Sequence, residues 1–301
     1  MISAVVHTFN EEKNIERCLS SLAWTDEIVV IDMGSTDKTC QIAASYKAKI
    51  YPHPYTGFVE PARNFGIGKA KNGWILIVDA DEEIPKSLAK YLLEASQKED
   101  YDYFRIPRKN LVFGKWIRHT GWYPDYQIRF FKKGSVNWTE KIHGVPETKG
   151  KGFDLKAEEE LSIIHNNYQS LEQFLERLNR YTNIAAKEMY LSNKHFQVNN
   201  LFEAPVKEFI NRYFIWEGYR DGLHGLALST LQSFSEVVTC LKLWELEKFK
   251  EEKVTLADID KMLTSEYRLK KFHLTETEIK KEESSWRKFV LKLKRKLAFY
   301  G

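Results

Sequence analysis

The chain has 301 residues, of which 43% are hydrophobic and 29% charged, and its formal net charge is +4. That balance describes a globular protein with a true core, long enough for one large or two smaller domains, and excludes disordered and collagen-like chains. The charge is too mild, and too free of recognised binding motifs, to point to nucleic acid.

Ile2 to Thr8 reads as a first buried strand. Asn10 is placed to cap a helix in which Ile15, Cys18, Leu19 and Leu22 recur at helical spacing. Glu27 to Asp32 is a second buried strand, and Ser35, Thr36 and Asp37 offer caps for a helix through about Tyr46. Lys49 to Tyr51 is a short third strand. Pro61 to Ala70 reads as a helix weakened by Gly66 and Gly68. Trp74 to Val78 is a continuous apolar run and a fourth strand, followed by a helix from Pro85 to Gln97. Alternating strands and helices predict a mostly parallel sheet with helices on both faces.

The pattern changes near Tyr101. Tyr103 to Pro107, Leu111 to Ile117 and Gln127 to Lys132 are aromatic-rich strand candidates, and Leu161 to His165 is a last one. Gly144 to Lys156 reads as a loop. From Ser170 onward the chain reads as helical, with helices near 171–181, 204–216 and 223–248. The expected organisation is a domain over 1–168 and a helical region over 169–301, ending in a basic tail at about 284–301.

Carboxylates cluster where these strands end. Asp79-Ala80-Asp81-Glu82-Glu83 follows the fourth strand, Asp32 ends the second, and Thr8, Asn10 and Glu11 follow the first. Open α/β sheets bind ligands at such carboxyl ends. Asp79 and Asp81 lie two apart, so a continuing strand would point both to one face. Two hard oxygen ligands there suit Mg²⁺ or Mn²⁺ carrying a diphosphate. Arg63 and Asn64 precede the fourth strand and could reach a diphosphate or a sugar. The bland alternatives are a solvated helix start for the acidic run, turn and cap duty for Asp32 and Asp37, and a surface ion pair for Arg63. A Gly-x-Gly-x-x-Gly fingerprint and a Walker A motif are absent.

Taken in order, Thr8-Phe9-Asn10-Glu11-Glu12, Asp26 to Asp32, Gly34-Ser35-Thr36-Asp37, Arg63-Asn64 and Val78-Asp79-Ala80-Asp81 resemble a family 2 glycosyltransferase over about residues 1–100. The segment from Gly121 to Phe131, with Trp138, His143 and the stretch from Arg220 to Trp244, resembles the branch containing bacterial lipopolysaccharide core β-1,4-glucosyltransferases. The resemblance implies a GT-A-type, Rossmann-like fold, a nucleotide-sugar donor, UDP-glucose foremost, and inversion at the anomeric carbon. It implies that Thr8, Asn10, Glu11, Asp32 and Ser35 border the nucleoside. Arg63, Asn64, Asp79 and Ala80 would lie by the ribose and diphosphate, with Asp81 and Asp79 on the metal. The family's Glu-Asp pair has its nearest match in Glu99-Asp100, too early in the chain to serve as base. Asp125 is therefore the expected base and Glu140 the runner-up. Arg129 is a candidate phosphate clamp, and His143 a candidate metal ligand or phosphate contact. Relatives often have His-Glu where this chain has His143-Gly144, which leaves Glu147 as a substitute acid.

Trp286, Phe289, Val290, Leu293, Leu297 and Tyr300 recur at helical spacing among Arg287, Lys288, Lys292, Lys294, Arg295 and Lys296. A basic amphipathic helix of this kind reads as an interfacial membrane anchor, or as a terminal helix packed on its own protein. The broad apolar stretch from Leu226 to Trp244 could serve the core, a homodimer or the bilayer surface. Cys18, Cys40 and Cys240 form no Cys-x-x-Cys pair, so zinc is not expected, and Cys18 and Cys40 read as buried. No apolar run reaches spanning length, and the first residues lack the basic start of a secretion signal. The expected place is the cytoplasm, peripheral on the inner face of the cytoplasmic membrane, with a lipid-linked or cell-surface glycan as acceptor. A peptide or protein acceptor, or a non-catalytic nucleotide-sugar binder, are the alternatives.

Overall fold

The computed structural model describes residues 1–55, 59–98, 100–139 and 146–300, the last four without their side chains. The chain packs as two compact units, residues 1–116 with 123–167, and residues 117–122 with 168–301.

The first unit begins with β1 (Ile2–Thr8), α1 (Ile15–Ser21), β2 (Glu27–Asp32), α2 (Thr39–Ser45), β3 (Lys49–Pro52), α3 (Glu60–Lys69) and β4 (Trp74–Asp79). It continues with β5 (Glu82–Glu83), α4 (Lys86–Gln97), β6 (Tyr103–Val112), β7 (Lys115–Trp116), β8 (Asp125–Lys132), β9 (Val136–Asn137), β10 (Glu147–Thr148), β11 (Gly152–Asp154) and β12 (Ile163–Tyr168). The main sheet runs β3-β2-β1-β4-β8-β6-β12-β5. β3, β2, β1 and β4 are mutually parallel, as the βα alternation requires. β8 then joins β4 antiparallel and β6 joins β8 antiparallel. The class is the expected GT-A-type α/β architecture, but its sheet is mixed, with parallel pairing concentrated in the N-terminal half.

Period-two burial explains the layers. Ala4, Val6, Val30, Leu76 and Val78 face one core with Ile15, Leu19, Leu88 and Leu92 from α1 and α4. Val5, Val29, Ile31, Ile75 and Ile77 face the other with Ala62 and Ile67 from α3. Each Val, Leu or Ile among them, fully buried, stabilises by roughly 1.5–3 kcal/mol. Gly66 lets α3 lie directly on the sheet, because a Cβ there would sit 2.7 Å from Val5 Cγ1 and 2.9 Å from Ile31 Cγ1. The glycine that weakens the helix in sequence is what seats it.

Several expectations are corrected. Asn10 does not cap α1; it takes a left-handed φ of 55°, and Asn14 holds the cap position. Within the expected loop 144–156, residues 147–148 and 152–154 are short strands, the latter pairing with β6. β6 continues through Pro107 as one ten-residue strand instead of two. Cys40 is half-buried, not buried.

The second unit holds α5 (Leu171–Leu191), α6 (Val198–Ile210), α7 (Leu223–Leu246), α8 (Leu256–Lys281) and α9 (Ser285–Tyr300). Ser170 caps α5 by accepting from Gln173 N at 3.1 Å. α6 starts six residues before the expected Ala204 and gives way at Asn211 to a five-residue π turn. α8 was not expected as a separate element. Gly225 in α7 meets the Gly218 carbonyl so closely that a Cβ would stand 1.8 Å from it. Asp221 is buried and accepts from His119 N at 2.8 Å, which ties residues 117–122 to this unit.

Candidate active site

β1, β2 and β4 are neighbours, so Thr8, Asp32 and Asp79 end side by side. Around them two loops are stapled together. Asn10 N donates to Ser35 Oγ at 2.8 Å, and Thr36 N donates to Asn10 Oδ1 at 2.8 Å. Glu11 N donates to Thr39 Oγ1 at 2.8 Å. Asp32 accepts from Gly34 N at 3.2 Å and Ser35 N at 3.1 Å, the turn duty foreseen as its alternative. Thr8 is buried and its hydroxyl has no partner among the described residues. Beside this loop Phe9 and Tyr55 stack with ring centroids 4.3 Å apart, an aromatic ledge that the residue pattern did not single out.

β4 stops at Asp79, and residues 80 and 81 form a turn. The continuing strand that would set Asp79 and Asp81 on one face is therefore absent, and the two carboxylates meet different partners. Asp79 accepts from Arg63 Nη2 at 3.2 Å and, more closely, from Arg129 Nη2. Burial alone would raise its pKa, but Arg129 and Arg63 together hold the carboxyl well below the usual range. Ala80 is buried in the core with Ile84 and Leu88.

From Asp79 an alternating series of charges runs across the sheet. Arg129 Nη2 also donates to Glu82 Oε1 at 2.8 Å. Arg108 Nη1 donates to the same oxygen at 3.2 Å, and Glu82 Oε2 accepts from Asp79 N at 2.9 Å. Arg108 then donates to Asp125 Oδ2 through Nε at 2.9 Å and Nη2 at 2.5 Å. Asp125 and Arg108 are register partners, the pleat puts Asp125 and Gln127 on one face of β8, and Arg129 sits where the register with β6 shifts. Gln127 Nε2 donates to Asp125 Oδ1 at 2.9 Å. Burial raises the Asp125 pKa, yet Arg108, Gln127 and Asn110 outweigh it and lower the net value. The expected base is thus fully ionised at neutral pH and reduced in basicity.

A second path joins the same groups. Asn110 Nδ2 donates to Asp125 Oδ2 at 3.2 Å, which fixes the amide with its oxygen toward His165 Nδ1, 2.6 Å away. His165 Nδ1 is therefore the donor of that bond, and Nε2 is the ring nitrogen turned toward Asp81. Asp81 Oδ2 faces that nitrogen at 3.5 Å. A carboxylate oxygen and an imidazole nitrogen so placed can hold a proton or a cation between them.

Asn64 brackets Trp138, donating to its carbonyl at 2.8 Å and accepting from its N–H at 3.0 Å. The Arg63 guanidinium lies 5.7 Å from the Trp138 ring centroid. Arg63 Nη1 and Arg129 Nε are buried with no partner among the described residues. Beneath them His7 is buried, and burial together with Arg63 lowers its pKa to about 3, so it is neutral.

Glu140, His143 and Glu99 lie outside the described residues; Glu147 is exposed on β10. The structure brings together Asp79, Asp125, Arg63 and Arg129, and adds Glu82, Arg108, Asn110 and His165, which the sequence reading gave no role. Alternation along β6, which sets Arg108 and Asn110 on one face, was the available signal for those two. Among the described residues no group of three His, Cys, Asp or Glu is poised to hold a metal. A Mg²⁺ or Mn²⁺ ion that keeps several waters and takes phosphate oxygens needs only one or two protein ligands, so the Asp81 and His165 pair fits such an ion.

An open α/β sheet with charged groups at its parallel carboxyl ends has the build of a ligand-binding enzyme. The chain belongs to glycosyl transferase family 2, whose model matches residues 3–157, and the protein is a glycosyltransferase. An uncharacterized glycosyltransferase of Rickettsia typhi is 27% identical over 81% of this chain and 87% of its own. The lipopolysaccharide core biosynthesis glycosyltransferase LpsC of Rhizobium meliloti is 23% identical over 83% of this chain and 94% of its own. Among solved structures, S. aureus TarS 1-349 in complex with UDP-GlcNAc aligns at 17% identity with a TM-score of 0.44, covering 89% of this chain and 91% of that one.

Proposed function

We propose that the protein is an inverting, metal-dependent hexosyltransferase that moves glucose from a UDP-sugar to a lipid-linked or cell-surface glycan at the inner face of the cytoplasmic membrane. The similarity to LpsC supports the glycan acceptor, and the resemblance of residues 121–131 to glucosyltransferases supports the sugar. The observation that carries the metal reading is Asp81 Oδ2 facing His165 Nε2 at 3.5 Å. Asp81 and His165 would hold the ion, which supplies Lewis-acid neutralisation of the leaving diphosphate. Asp79 is turned to two guanidiniums, so in this reading it orders Arg63 and Arg129 rather than ligating the metal. Arg129, buried between Asp79 and Glu82, fixes that arrangement instead of clamping phosphate from solvent. Thr8, Asn10, Glu11, Asp32 and Ser35 shape the nucleoside end, with Phe9 and Tyr55 as an apolar wall. Asn64 positions Trp138. Asp125 takes the acceptor proton; its low basicity limits the gain to the lower part of the roughly 10²–10⁴-fold range for such a base.

The test is a thermal-shift screen with UDP-, GDP- and dTDP-sugars, with and without Mn²⁺. A ligand present at 100 times its Kd stabilises by about 2.7 kcal/mol. A shift with a UDP-sugar that requires Mn²⁺, abolished in Asp81→Ala and in His165→Ala, is the expected result. An equal shift without metal would overturn the metal assignment, and no shift with any nucleotide sugar would overturn the donor reading.

A further inference from the structure

α9 presents two unlike faces. Its inward face carries Arg295, which pairs with Glu276 of α8 and lies 5.4 Å from the Phe272 ring centroid. At about 100° per residue, Lys288 and Leu291 share that side with Arg295, and both are half-buried. The opposite side is bare: Trp286 is 71% exposed, Phe289 52% and Leu293 47%. These three fall within an arc of roughly 60°, and the Trp286 and Phe289 rings stack at 6.0 Å. Arg287 and Lys294 flank the arc on one side and Lys292 and Lys296 on the other, all exposed. No acidic residue occurs from Ser284 to Tyr300.

We infer that this face is a docking surface for an anionic lipid bilayer, with α9 lying in the interface plane on α8. The inference rests on the membrane location proposed above and gives it a named surface. An apolar arc bordered by cations is complementary to acyl chains bordered by anionic headgroups. A second copy of the chain is a poor occupant, because an isologous contact would bring the same four cations against themselves. Spanning is not involved, since no helix among the described residues is long and apolar enough to cross a membrane. Packing of α9 on α8 through the Arg295 side leaves the apolar arc facing solvent without any rearrangement of that pair.

The experiment is co-sedimentation of the full chain with vesicles containing phosphatidylglycerol and with vesicles of phosphatidylcholine alone. Binding to the anionic vesicles that weakens with salt is expected. Replacing Arg287, Lys292, Lys294 and Lys296 together by Gln should lower partitioning about a hundredfold or more, since each cation contributes roughly fivefold. Trp286→Ala with Phe289→Ala should lower it about tenfold or more. Both variants alter exposed side chains and should keep the parent melting temperature and donor hydrolysis. Absence of binding to anionic vesicles, or equal binding by the four-Gln variant, would overturn the inference. So would a dimer in light scattering that Trp286→Ala dissolves. A chain that binds vesicles but turns over no nucleotide sugar would instead refute the functional reading and leave this surface standing.

Discussion

Glu82 has no exposed surface, and its two oxygens accept from Arg129, Arg108 and the Asp79 backbone. A carboxylate without solvent is tolerated only when its charge and lone pairs are matched, and here two guanidiniums do so. Glu82→Gln keeps the shape but leaves buried Arg129 and half-buried Arg108 short of an anion. We expect it to lower unfolding free energy by about 3 kcal/mol, read as a fall in urea midpoint at unchanged m. A change under about 0.5 kcal/mol would mean that the ion series relaxes freely around the loss. In the sequence Glu82 was visible only as one member of an acidic run. Its role depends on Arg108 and Arg129, which lie 26 and 47 residues away, and one-dimensional spacing carries no trace of that meeting. His165 was hidden for the same reason: its partners Asn110 and Asp81 come from two other segments.

At the scale of elements, β1, β2 and β4 were legible because each centres on an apolar run, and α1 and α4 because apolar residues recur at helical spacing. α8 was not legible by that rule. Its apolar residues are scattered around the helix, and only Thr275 is buried. What marks its start is local chemistry, a capping box in which Asp258 N donates to Thr255 Oγ1 at 3.2 Å and Thr255 N to Asp258 Oδ2 at 2.9 Å. With so little burial to hold the helix, the cap matters more than usual. Thr255→Ala should cost about 1 kcal/mol and raise hydrogen exchange in the first turn of α8 before any global change. Unchanged exchange there would show that α6 and α9, which pack on α8, suffice to hold its first turn. The mixed half of the sheet was also beyond the pattern, since short strands such as β11 gain their definition from β6, not from their own residues.

For the molecule as a whole, acid sensitivity follows from carboxylates held ionised. Glu27 illustrates the sign. Burial would raise its pKa, but bonds from Lys49, Ser3 and Lys71 lower it from 4.5 to about 2. A depressed native pKa means that the unfolded chain binds the proton more readily. The stabilisation is therefore complete above about 4.5 and is lost as pH falls toward 2. Asp79 and Asp125 are shifted in the same direction. We expect the melting temperature to fall steeply between pH 5 and pH 2 and to fall less steeply in Glu27→Gln. Parallel curves for the two proteins would remove Glu27 from the account.

Three arginines, Arg63, Arg108 and Arg129, interleave with three carboxylates, Asp79, Glu82 and Asp125, each cation already matched by an anion within the cluster. Asp81, beyond that series, faces His165. A bare pyrophosphate approaching these groups meets guanidiniums whose charge is already matched by carboxylates. In the reading advanced here, the donor therefore arrives already complexed with its divalent counterion, and the site selects the neutralised salt over the free nucleotide.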